Sequence, residues 1–150
     1  LYPNRLTFYR WVFMPHPHLF VFLLDNPLGW ALVEARYQLP GDDANARIPD
    51  LSFVRDRSRS LTHTGAAPYM PDLAVEVQSP DDSPKRMREK ADYYLANGSQ
   101  VVWLVYPDQR LVEVLTPDDR QLLTGDDLLD GGALLPGFSV PVSALFPPQA

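Results

Sequence analysis

Residues 71–80 read Pro71-Asp72-Leu73-Ala74-Val75-Glu76-Val77-Gln78-Ser79-Pro80, and the fold turns on them. Leu73, Val75 and Val77 alternate with Asp72, Ala74, Glu76 and Gln78, so one face is apolar and the other carries polar groups. The run is short, rich in β-branched residues and bounded by proline at both ends, which predicts a strand in the interior of a sheet. An acid four residues into such a strand is unfavourable unless something pairs with it. Glu76 is therefore the residue to be explained.

Upstream, Pro49-Asp50 leads into Leu51-Ser52-Phe53-Val54, a second expected strand, across the polar, glycine-containing loop 55–70. Trp30 to Leu39 alternates over its whole length and reads as a third strand, closed by the turn Pro40-Gly41-Asp42-Asp43. Nearer the beginning, Thr7 to Met14 is aromatic-rich and fits strand or helix, Pro15-His16-Pro17-His18 reads as irregular because its prolines remove amide donors, and Leu19 to Leu24 is apolar without a clear period. Two histidines so close raise the question of a metal, but no third ligand stands nearby and a loop is the simpler reading.

Downstream, Ser83-Pro84 suits the N-cap and first position of a helix that runs to about Ala96 and stops at Asn97-Gly98. Met87, Ala91, Tyr94 and Leu95 form its apolar stripe. Val101 to Val105 is a buried strand, Leu111 to Leu115 its hairpin partner, and shorter strands are expected near 121–123 and 133–135, before a closing segment at 142–146. Three strands, one helix and further strands give an α/β fold: a mixed β-sheet with a helical crossover packed on one face. No linker divides the 150 residues, so one domain is expected over residues 1–150.

Composition narrows the class. Cysteine is absent, which excludes disulfides and thiolate-bound metals. No apolar run approaches the roughly 20 residues needed to span a bilayer, and no signal peptide is read, so the expected setting is cytoplasmic with no membrane partner. The net charge of −6 argues against a protein that coats nucleic acid. Seven of the basic residues nevertheless fall into two islands, Arg55-Arg57-Arg59 and Lys85-Arg86-Arg88-Lys90, which suit an anionic substrate held locally.

Antiparallel neighbours bring Asp50, at the start of one strand, toward Glu76 near the end of the next. Two converging carboxylates repel, and a hard divalent cation relieves that repulsion while keeping coordination places for a substrate phosphate. In this arrangement the chain resembles the PD-(D/E)XK nuclease superfamily, with Asp50 and Glu76 as its two acids. The run 71–80, Glu89-Lys90, Tyr93-Tyr94-Leu95, Gly98, Val102-Trp103-Leu104-Val105, Leu134-Leu135-Pro136-Gly137-Phe138 and Leu145-Phe146 resemble more closely the Uma-type, restriction-endonuclease-like bacterial family, over residues 47–146. The resemblance implies a restriction-endonuclease-like sheet flanked by helices and a Mg2+- or Mn2+-dependent endonuclease acting on nucleic acid, DNA above all. It also implies metal ligands Asp50, Glu76 and the Val77 carbonyl, and a homodimer as an expected assembly. The superfamily has a lysine two residues after the second acid; here that position is Gln78, which carries no charge. The family often places the lysine on the following helix instead, here Lys90, while Gln78 is left to hydrogen-bond the attacking water. Residues 1–29 do not fit the family pattern, and a further N-terminal acid is not assigned.

Plainer readings stand beside these. Glu76 can be the structural partner of a basic residue, Lys90 an ordinary solvated helix lysine, and Asp72 a cap at the strand start. Glu34 is expected to face solvent, and Arg55, Arg57 and Arg59 to form a solvated loop with phosphate contact as the alternative. Ser79 with His63 lacks the elbow glycines and acid of a nucleophile site. The alternative function is a catalytically inactive nuclease-fold module for binding or assembly, which Gln78 and the acidic composition favour.

Overall fold

The computed structural model describes residues 15–59 and 65–149. Its main element is a six-stranded sheet in sequential order: β1 (Trp30–Val33), β2 (Leu51–Val54), β3 (Leu73–Val77), β4 (Val101–Tyr106), β5 (Leu111–Leu115) and β6 (Arg120–Thr124). All neighbours are antiparallel except β3 and β4. That parallel pair requires a crossover, and helix α2 (Pro84–Ala96) supplies it. The order expected from sequence is borne out, and so is the helix start: the Ser83 side chain accepts from the Arg86 amide at 3.2 Å, with Pro84 following. Gly98, at φ 111°, adopts the left-handed conformation beyond the helix end.

The sheet buries both faces. On one, Leu73, Val75, Val77, Trp103 and Val105 pack beneath helix α1 (Pro15–Asp25) and a second, two-stranded sheet of β7 (Leu128–Gly131) and β8 (Leu135–Pro141). On the other, Ala74, Val102 and Leu104 pack against Met87, Ala91 and Tyr94 of α2. A 3₁₀ turn (Val142–Leu145) closes the first face. β4 is therefore apolar because it is covered on both sides, so its composition is no sign of a partner surface.

Three expectations need correction. Residues 15–18 belong to helix α1, where the packing of Leu19, Phe22 and Leu23 against the core outweighs the amide donors that the prolines lack. His16 and His18 accordingly reach different carbonyls, of Asp50 and Ala144. The strand expected over 30–39 stops at Val33, because Glu34 takes a positive φ of 49° and turns the chain out of the ladder; Tyr37 then bridges to Arg47 and Ala67. Leu135 to Pro141 forms one longer strand through Pro136-Gly137. The expectations on Thr7 to Met14 and His63 lie outside the described residues.

Candidate active site

The register of β2 and β3 builds the site. Leu51 lies opposite Val75 and Ser52 opposite Ala74, so continuing the ladder by one residue sets Asp50 opposite Glu76. Asp50 is locked there from both sides: the Val77 amide donates to its Oδ2 at 2.7 Å, and the His16 ring donates to its carbonyl at 3.3 Å. Ser52, beneath them, is tied to the Tyr37 hydroxyl at 2.7 Å. The alternation of β3 turns Glu76 away from the α1 face and toward α2, where it is only 6% exposed.

Helix α2 answers Glu76 with two side chains one turn apart. Lys90 Nζ lies 3.4 Å from Oε2 and the Tyr94 hydroxyl donates to Oε1 at 2.9 Å; an i, i+4 pair converges on one strand residue. Lys90 also reaches Asp82 Oδ1 at 3.7 Å. Asp82 in turn accepts from the Ser79 hydroxyl at 2.8 Å, so Ser79 caps a turn. Gln78 donates its side-chain amide to the Asp82 carbonyl at 3.0 Å, while its backbone amide bonds Val105. Asp50, Glu76, Asp82 and Lys90 thus form one electrostatic unit in which three carboxylates face one ammonium.

Burial shows in two of these acids. The Glu76 carboxyl, ordinarily near 4.5, is pushed up to about 7, first by burial, with the Asp50 charge adding to it and Lys90 opposing. Asp50 is raised too, chiefly by burial against the pull of the Val77 amide. Tyr94 is raised by burial and by Glu76, and stays a donor. Between about 4.5 and about 7 the folded chain keeps a proton on Glu76 that the unfolded chain releases. Stability without metal should therefore fall as pH rises through that window, by roughly 3 kcal/mol. Urea unfolding of wild type and Glu76→Gln from about pH 5 to about pH 8 checks this: the fall should be lost in the variant.

The remaining expected residues sit apart. Asp72 accepts from the Arg55 amide at 2.8 Å and from Gln100 at 2.9 Å, a latch at the start of β3, as a cap should be. Glu34 is exposed, though its charge is felt at Asp50. Arg57 and Arg59 lie over the rings of Trp30 and Tyr69, beyond the end of β2 opposite Asp50. Arg88 does not pair with Asp92 one turn along; it crosses to Glu113 on β5. Sequence reading left Tyr94 in the apolar stripe and gave Asp82 no role. The available signal was a tyrosine, not a leucine, four residues after Lys90.

Against known proteins, residues 18–143 match the Uma2 family, described as "Putative restriction endonuclease". The chain belongs to the Uma2 family. A crystal structure titled as a "putative nuclease belonging to DUF820 from Anabaena variabilis ATCC 29413" superposes with a TM-score of 0.74 at 22% identity, covering 89% of this chain and 78% of that one. That likeness shows the shared restriction-endonuclease-like α/β fold. No curated protein matches.

A divalent cation is one group that could relieve the charge that Asp50 and Glu76 bring together. Among the described residues no three His, Cys, Asp or Glu side chains cluster as a metal cage. Mg2+ needs none: it keeps several waters and is bound by one or two carboxylates plus substrate phosphate. The buried, under-neutralised pair Asp50 and Glu76 has that chemistry.

Proposed function

We propose that this chain is a Mg2+- or Mn2+-dependent nuclease hydrolysing phosphodiester bonds in DNA. The observation that carries the reading is Glu76: a carboxylate buried at the end of a central strand, facing Asp50 and held by Lys90 and Tyr94. Membership of a family described as "Putative restriction endonuclease" supports it. Asp50, Glu76 and the Val77 carbonyl would hold the cation, which would supply Lewis acidity at the phosphate and lower the pKa of a bound water.

The chain's own groups do the rest. The Val77 amide and His16 fix Asp50, so it does not have to reorganise on binding. Tyr94 holds one oxygen of Glu76, leaving the other to Lys90 or the cation. Lys90, held 3.4 Å from Glu76 and 3.7 Å from Asp82, would turn its ammonium toward the attacking water and the charge growing on phosphorus. Gln78 keeps the Asp82 turn in place with its N–H and has its side-chain oxygen to accept from that water. It cannot supply the charge of a strand lysine, so Lys90 carries that role alone.

The plainer reading, an inactive module, differs in one respect: it needs no cation. Mg2+ or Mn2+ should raise the melting temperature of wild type by mass action, and Asp50→Asn should remove most of that rise. Metal competes with the Glu76 proton, so the rise should grow with pH up to about 7 and then level off. A shift of equal size in wild type and Asp50→Asn places the metal elsewhere.

A further inference from the structure

Glu76 has a counterpart on the same face of the sheet. The register runs Glu76 to Leu104, Leu104 to Glu113 and Glu113 to Leu122, so these four residues form one row on the face that carries α2, with Leu122 exposed at its edge. Glu113 is two strand spacings from Glu76, about 10 Å. Its side chain is 4% exposed, and it holds two guanidiniums: Arg120 at 3.0 Å and Arg88 at 3.4 Å. Both arginines are nearly half exposed, at 44% and 46%, and line a cleft of about 200 Å³ with Pro84, Tyr106 and Leu122.

One carboxylate between two guanidiniums leaves a net positive charge in a protein whose total is −6. Arginine has five N–H donors in a rigid fork. Glu113 hydrogen-bonds Arg88 and forms an ion pair with Arg120, so a ligand that takes the exposed remainder of either has less side-chain freedom left to freeze. The cleft opens beside the carboxyl end of β4, on the same rim as Glu76. Along the axis of duplex DNA each strand carries a phosphate every 3.4 Å or so, and through space they stand farther apart, so a strand with its scissile phosphate at Glu76 reaches this cleft within about three nucleotides.

We propose that the cleft is a nucleotide subsite. Arg88 and Arg120 take a DNA phosphate flanking the scissile one, and the apolar side of Leu122 lies against the attached sugar and base. This rests on the nuclease reading of Asp50 and Glu76, but its test separates the two. A plain structural ion triad would make Glu113 a stabiliser only; in a subsite Glu113 also competes with the phosphate for the same guanidiniums.

The probe is a short fluorescein-labelled single-stranded DNA, with binding followed by anisotropy at low and high salt in the Glu76→Gln background and cleavage by wild type with Mg2+ measured in parallel. Glu113→Gln should tighten binding several-fold. Adding Arg88→Gln and Arg120→Gln to it should weaken binding ~10-fold or more and lower the salt slope by about 0.7 for each phosphate no longer neutralised. Circular dichroism reports whether each variant folds. In wild type, replacing single phosphates with neutral methylphosphonates probes the same interaction without altering the protein: one position beside the cut should weaken binding most. Cleavage by wild type with binding indifferent to all these changes overturns the subsite and leaves the nuclease reading intact. Arginine-dependent binding without cleavage keeps the subsite and removes hydrolysis. Wild type that neither binds nor cleaves overturns both.

Discussion

Glu76→Gln should reduce DNA hydrolysis at saturating Mg2+ by ~10³ or more, since a lost cation site removes several kcal/mol of transition-state stabilisation. The same change should leave the metal-free fold at least as stable above neutral pH. Two features of the structure produce this separation. Glutamine keeps an acceptor for the Tyr94 hydroxyl, which donates to Glu76 Oε1 in wild type, so that hydroxyl is not orphaned. It also removes a charge that burial and Asp50 disfavour, while Lys90 keeps Asp82 at 3.7 Å. A residue whose removal stabilises the apo protein and silences it is retained for chemistry. Cleavage assays and urea unfolding on the same preparation check both halves. A variant that is active, or one that is inactive because it is unfolded, speaks against the assignment.

Lys90→Met should lower the cleavage rate by ~10², the scale of one preorganised electrostatic or proton-transfer contact. The plainer reading of the sequence made Lys90 an ordinary solvated helix lysine. The structure revises that, because its side chain is 31% exposed and serves two carboxylates. Without it Glu76 takes up a proton more readily, so the variant should fold normally at mildly acidic pH and lose stability relative to wild type as pH rises past about 7. Gln78→Lys adds an ammonium on the strand two residues from Glu76 and should restore part of the rate in the Lys90→Met chain, at the cost of the bond from Gln78 to the Asp82 carbonyl. Equal rates in wild type and Lys90→Met would exclude the helix lysine while leaving the two carboxylates in play.

How far the sequence could be read depended on how local the determining physics was. The strands at 51–54, 73–77 and 101–106 and helix α2 announce themselves through alternation, an unbroken apolar run and a capping pair, all of which act within a few residues. Asp50 and Glu76 were legible together because antiparallel pairing follows from their position at strand ends. What escaped depends on distant partners. Nothing around Pro15-His16-Pro17-His18 shows that the segment forms a helix whose His16 braces the Asp50 carbonyl. The alternation of 30–39 continues past Val33, yet Glu34 leaves the strand, because the following residues bond to Arg47 and Ala67. Tyr94 looked apolar by its spacing and is the group that holds Glu76. Arg88 had an acidic neighbour one turn away in Asp92, yet pairs with the more deeply buried Glu113, where an unpaired carboxylate would be far more unfavourable.

In the proposed function Asp50 and Glu76 would hold the cation with which the protein hydrolyses DNA. The most direct test is cleavage of plasmid and linear DNA by wild type, Asp50→Asn and Glu76→Gln, each purified identically, with Mg2+, with Mn2+ and with EDTA. The prediction is cleavage by wild type in either metal, none in EDTA, and none above background from either variant. No cleavage by folded wild type in either metal, or cleavage by all three proteins alike, would contradict it.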